Sequence, residues 1–178
     1  MLNLFWKIFT NKKTVLPVSF FRTDQEVLIV GKKLESKVRK MFNGSLAIRQ
    51  VAAGSDNSVE QELNALTNSY YDAERFGIHF VASPKHADML LVSGPVSRNM
   101  VHALKVAYDC MPSPKIVVAV GDGAIHGGIY KGSYATVDGV KNVIPVHYEI
   151  PGDPPSPKTI LTALLTVLEK IDTKKLVV

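Results

Sequence analysis

Asp56, Asp122, His126 and Asp153 are the residues of this sequence whose types suit one shared chemical task. Three carboxylates and an imidazole offer hard oxygen donors and a borderline nitrogen, a set that suits a divalent cation. No dense ligand motif supports that use, and each aspartate also has an ordinary one. Asp56 and Asp153 suit helix caps or turns, and Asp122 suits an Asx-turn. The stretch GDGAIHGGIYKGS, from Gly121 to Ser133, holds five glycines that would let backbone amides approach an anion. It has neither the GxGxxG pattern nor the GK[ST] ending of a phosphate loop, and a glycine-rich turn needs only unusual φ angles to exist.

Nucleophilic and redox chemistry are constrained by a single cysteine, Cys110. One thiol excludes a disulfide framework and any site that draws several thiolates from this chain alone. Cys110 is expected at a helix C-terminus just before MPSP, where the dipole disfavours thiolate, and as a buried free cysteine. His79 and His147 are expected as packing residues within strands, and His86 and His102 as surface or packing residues.

These residues must be positioned by the elements around them. The chain has 178 residues, 46% of them hydrophobic, enough for one domain with a sizeable core. From about residue 45, strands and helices alternate. SLAIRQV, GIHFVAS, ADMLLVSG, KIVVAVG and NVIPVHYEI read as strands; DNSVEQELNAL, SRNMVHALKVAYDC and SPKTILTALLTVLEKI read as helices. Ser156 is the expected cap of the last helix, with Pro157 in its first turn. This alternation predicts an α/β three-layer sandwich with a mostly parallel sheet. In such a fold, sites lie at the carboxyl ends of the strands, where strand order reverses. The loops AAGSDNSVE, SGPVSRN and GDGAIHGG fall there, and IPGDPPSP follows the last strand.

Residues 1–44 form an expected basic N-terminal extension, with residues 45–178 as the domain proper. The net charge of +5 is concentrated early: residues 1–50 carry ten Lys and Arg against Asp24, Glu26 and Glu35. Leu2, Phe5, Trp6 and Phe9 share a helical face, which suits a short interfacial helix. TNKKTVLP reads as a linker, and residues 24–42 as an amphipathic helix capped by Asp24 and ended by Asn43-Gly44. Contact with lipid or membrane subunits through residues 1–42 is expected; nucleic acid is not. No run approaches the roughly 20 apolar residues of a membrane span, and no secretory cleavage pattern is evident, so a cytoplasmic chain is expected.

At YYDAERFGIHFVASPKHADMLLVSGPVSRNM the sequence resembles the 20 kDa subunit family of NADH-quinone oxidoreductase. These are the small electron-transfer subunits of respiratory complex I and of energy-converting membrane-bound hydrogenases. The resemblance begins near SLAIRQVAAGSDN and continues through MPSPKIVVAVGDGAIHGG, GSYATVDGV and VIPVHYEIPGDPPSP to the last helix, roughly residues 45 to 170. It implies a flavodoxin-like fold and a four-iron, four-sulfur cluster held by four cysteines. The matching positions here are Asp56, Val59, Gly123 and Asp153, none of them cysteine. Carboxylates, a valine and a glycine do not replace soft thiolates.

The resemblance therefore implies a member without the cluster, with no cofactor and no activity of its own, acting as a structural or assembly subunit. Its expected partner is the large subunit of a hydrogenase-like or complex I-like assembly. It would lie on the cytoplasmic side, peripheral to the inner face of the membrane through that complex. The alternative is a repurposed binding domain, with a metal ion or small ligand in a former cluster cavity lined by Asp56, Asp122, Gly123, His126 and Asp153. A flavin-based electron-transfer role has no specific support in the sequence.

Overall fold

A computed structural model describes Trp6 and residues 25–175. Its first described helix, α1 (Gln25–Phe42), leads into strand β1 (Leu46–Ala52). Helix α2 (Ser58–Ala65), strand β2 (Ile78–Phe80) and strand β3 (Met89–Ser93) follow. Then come α3 (Met100–Asp109), β4 (Ile116–Val120) and the short α4 (Asp122–His126). Strand β5 (Tyr148–Ile150) and helix α5 (Pro157–Lys175) complete the order.

The five strands form one parallel sheet in the order β2-β1-β3-β4-β5. That is the flavodoxin-like order, and its reversal point lies between β1 and β3. Strands β3 and β4 are buried along their whole length. This accounts for their unbroken apolar sequences, MLLVS and IVVAV, since a central parallel strand is covered on both faces. One face of the sheet packs against α1, α2 and α5 through residues that include Leu34, Ile48, Leu63, Val118 and Leu164. The other packs against α3, α4 and the 128–146 region through Leu90, Val92, Leu104, Ala124 and Ile144. Each fully buried Leu, Ile or Val contributes about 1.5–3 kcal/mol relative to exposure.

Helix α1, assigned by sequence to the N-terminal extension, shares the first of these cores. Val27, Leu34 and Val38 are buried, and Gly31 lies directly against the Phe76 ring. A side chain at position 31 would occupy the ring's place. Asn43 (φ 54°) and Gly44 (φ 101°) take the left-handed conformation that ends the helix, as expected. The expected Asp24 cap, the interfacial helix over residues 1–9 apart from the exposed Trp6, and the linker lie outside the described residues. The expected strand over NVIPVHYEI is shorter than its sequence suggests. Val140–Asn142 form a 3-10 turn, Pro145 has no N–H to donate, and only Tyr148–Ile150 pair with β4. His147 consequently precedes the strand and is exposed, although its Nδ1 accepts from the Val117 amide at 3.1 Å.

Asp172 of α5 fastens the two long helices together. Its carboxylate lies 2.8 Å from Lys37 Nζ and 3.1 Å from Lys40 Nζ, and Lys158 pairs with Glu26 nearer the other end. Hydrogen bonds from Lys37 first, and Lys40 second, hold the Asp172 carboxyl below the usual aspartate range. A carboxyl depressed in the folded state stabilises the fold above its unfolded pKa of about 4. That contribution is lost as pH falls through the lower folded value. Asp172→Asn is therefore expected to lower the thermal midpoint at pH 7, with the gap to the parent closing as pH falls below about 4. Parallel melts across pH check this, and a gap independent of pH would contradict it.

Candidate functional site

The strand order brings four loops together at the carboxyl edge of the sheet. Hydrogen bonds between backbone groups lace them: Ala53 N to Ser93 O at 2.9 Å, Ser97 N to Ala53 O at 2.7 Å, and Val96 N to Asp138 O at 3.0 Å. Gly94 makes the first crossing possible. It has φ 73°, and a Cβ there would fall 2.5 Å from the Ser55 backbone, so only glycine fits.

Asp122 joins the β4 and β5 loops. Its Oδ1 accepts from Gly152 N at 3.0 Å, while its own amide donates to Gly152 O at 2.9 Å. Gly121 N donates to Ile150 O at 2.8 Å, so the β4–β5 pairing runs on past the strand ends. This reciprocal pair holds PGDPP against the sheet. Ser156 caps α5 as expected, its Oγ accepting from Thr159 N at 3.3 Å.

On the β1 side, Glu60 is buried and accepts two hydroxyl donors. Ser55 Oγ donates to Oε2 at 2.6 Å, and the Ser93 hydroxyl donates to Oε1. The sequence reading missed this carboxylate. Its signal is helical spacing: Glu60 precedes buried Leu63 by three residues and follows buried Val59, so it lies on the packed face of α2.

A small cavity of about 20 Å³ lies between these loops, with Asp56, Val59, Gly123 and Asp153 all in its lining. The four positions singled out by the family resemblance thus converge. Ser55, Pro95, Ile129 and Tyr130 complete much of the wall. Asp56 accepts from the Ser58 hydroxyl at 2.6 Å and from its amide at 3.0 Å. Those bonds hold its carboxyl below the usual range, the hydroxyl contributing most. Val59 is buried, and Gly123 has no side chain.

This lining does not fit a four-iron cluster. It presents two carboxylates, a methyl-bearing wall and a backbone where four thiolates would be required, and the space is about that of one water molecule. Nor does the alternative cation set converge. Asp122 is turned to Gly152, and His126 lies outside the lining with Nδ1 accepting from Gly128 N at 3.2 Å. Among the described residues, no group of three or more His, Cys, Asp or Glu is arranged to hold a metal ion. Cys110 caps the C-terminus of α3, away from this edge, and is exposed where the sequence reading expected burial. The helix ends there, and the turn through Pro112 and Pro114 leaves the thiol uncovered. His86 and His102 are exposed as well, and His79 is half-buried in β2.

Comparison with known proteins matches residues 57–167 to the family described as NADH ubiquinone oxidoreductase, 20 Kd subunit. The chain belongs to this family. A relative from Pyrococcus furiosus, described as a probable membrane-bound hydrogenase subunit, is 38% identical over 143 residues, covering 79% of this chain and 86% of the relative. A subunit of F420H2 dehydrogenase from Methanosarcina mazei is 41% identical over 114 residues, 64% of this chain and 62% of that one. Among solved structures, a chain of an archaeal respiratory membrane complex, the membrane-bound sulfane sulfur reductase, superposes with a TM-score of 0.66 at 31% identity. That match covers 80% of this chain and 77% of the other. A [NiFeSe]-hydrogenase chain from Dm. baculatum, at 13% identity and TM-score 0.54 over 74% of this chain and 64% of its own, shares the fold. Family membership and the flavodoxin-like order agree with the resemblance read from the sequence. Among the described residues, no helix is long and apolar enough to cross a membrane.

The Asp122–Gly152 pair gives a direct test of what Asp122 does. Asp122→Ala leaves the Gly152 amide without its acceptor and is expected to cost about 1–3 kcal/mol of stability. Asp122→Asn keeps an acceptor oxygen and is expected to stay within about 1 kcal/mol of the parent. Urea melts give both values, and hydrogen exchange at the Gly152 amide should accelerate in the alanine variant alone.

Proposed function

We propose that this chain is a cluster-free, non-catalytic subunit of a membrane-bound hydrogenase-like or complex I-like assembly. It is seated beside the large subunit and serves assembly or structure. The observation that carries this reading is the convergence of Asp56, Val59, Gly123 and Asp153 on one cavity that offers no thiolate. The relatives at 38% and 41% identity are described as subunits of a membrane-bound hydrogenase and of a dehydrogenase, which supports an assembly role.

The surface beside the cavity supports a protein partner. Ile129 is 81% exposed and Tyr134 90% exposed, with Tyr130 between them also exposed. Three large exposed apolar side chains carried by one loop suit an interaction surface. Aromatic residues also hold a large share of interface energy. The loop that bears them is fixed from within: Gly132 N donates to Asp138 Oδ1 at 2.7 Å, and Arg98 N to Ala135 O at 2.9 Å. A rigid apolar loop binds without first having to be ordered.

Purification of the tagged full chain from its native membrane fraction tests the reading. A hydrogenase-like large subunit and membrane subunits are expected to accompany it. Ile129→Asp with Tyr134→Asp should reduce their recovery by about tenfold or more, while the thermal midpoint of the free chain stays unchanged. Recovery of the parent chain alone would contradict the proposal.

A further inference from the structure

Helix α1 turns a basic face to solvent. Val27, Gly31, Leu34 and Val38 face the core, and helical periodicity places Ile29, Lys32, Lys33, Ser36, Arg39 and Lys40 opposite them. All six are exposed. Residues 29–40 hold five cations, Lys37 among them, against Glu35 alone. Arg39 pairs with Glu35, and Lys40 with Asp172, whose side chain is only 13% exposed beneath it. Among the described residues, no acid pairs with Lys32 or Lys33. Five cations against Glu35 and Asp172 leave this strip with a net charge of +3.

This chain does not supply the counter-charge. Its segments outside the described residues hold one acid, Asp24, against Lys7, Lys12, Lys13 and Arg22. A second copy brings the same positive strip. The occupant is therefore an anionic surface from outside the chain. Four of the five cations are Lys, a compact and strongly hydrated charge, and protein interfaces are depleted in Lys and enriched in Arg. The strip is also convex, being the outer side of a helix, so its charges do not converge on one acid. A layer of anionic lipid headgroups matches both features, because its charge is spread over a plane and each surface Lys or Arg adds about fivefold in affinity. Binding at a lipid surface also draws on apolar contact. Ile29, 55% exposed, stands on the same face, and Leu2, Phe5, Trp6 and Phe9 lie upstream in the sequence. We propose that the outward face of α1 docks on anionic lipid headgroups. Because α1 is packed into the core, docking orients the whole domain, with the α1 side of the sheet towards the bilayer. The Ile129–Tyr134 loop belongs to the region packed on the opposite side of the sheet, so lipid and a protein partner take separate surfaces. The inference goes beyond the assembly reading and does not depend on it.

Co-sedimentation of the purified full chain with lipid vesicles tests it, phosphatidylcholine alone being set against phosphatidylcholine mixed with phosphatidylglycerol. Binding is expected with the mixed vesicles only, and should weaken as salt rises. Lys32→Gln with Lys33→Gln should weaken it by about thirtyfold, while Lys32→Arg with Lys33→Arg keeps it. The melting temperature of the free chain should stay unchanged in both, since neither lysine has an ion-pair partner to lose. Equal binding to both kinds of vesicle, binding to neither, or binding indifferent to the paired Gln substitution overturns the inference. So does loss of a subunit from the detergent-solubilised assembly on that substitution, which assigns the face to an acidic protein. If vesicle binding fails and a large subunit still accompanies the parent chain, the assembly reading stands without this surface. If vesicles bind and no subunit accompanies the chain, the assembly reading alone fails.

Discussion

The parallel strand order β2-β1-β3-β4-β5 is the constraint on which everything else depends. Because every strand runs the same way, the loops that follow β1, β3, β4 and β5 emerge on one edge, with the reversal between β1 and β3 at its centre. Residues nearly a hundred positions apart in sequence, Asp56 and Asp153, therefore line one cavity. The two fully buried central strands anchor that edge, so the loops start from fixed points.

What holds the loops to each other is hydrogen bonding. Asp122 ties the β4 loop to Gly152, Glu60 ties the β1 loop to Ser93 through its two hydroxyl donors, and the Ala53, Ser93 and Ser97 backbone groups complete the lacing. In the proposed reading these bonds keep the edge in shape where the family resemblance implies a metal cluster bridging the same loops. A rigid edge without redox chemistry still offers a binding surface. In that reading, Ile129, Tyr130 and Tyr134 provide its apolar part.

Much of the fold was legible because the signals are local. The runs ADMLLVSG and KIVVAVG announce buried parallel strands, and Ser156-Pro157 announces a helix start; both outcomes follow from backbone chemistry within a few residues. The limits of β5 were not legible, since they depend on Pro145 and on pairing with β4. The union of α1 with the core depends on Gly31 admitting the Phe76 ring, a contact between distant segments that periodicity does not encode. The site divides in the same way. The resemblance located Asp56, Val59, Gly123 and Asp153, and the fold brings them together. The partners of Asp122 and His126 are fixed by tertiary geometry, and their actual bonds replace the imagined convergence on a cation. Cys110 sits at the helix end as expected, but its expected burial rested on the general preference of free cysteines for the interior, whereas a helix end followed by prolines leaves it in solvent.

The central claim is that a member of the 20 kDa subunit family keeps the fold without its redox centre. Iron and acid-labile sulfide measured on the full chain, purified without oxygen exposure and freed of other subunits, test it most directly. The account predicts no stoichiometric iron or sulfide and no cluster signal in the electron paramagnetic resonance spectrum of the reduced protein. Iron and sulfide in equal amounts near the content of a four-iron cluster, with such a signal, would contradict it.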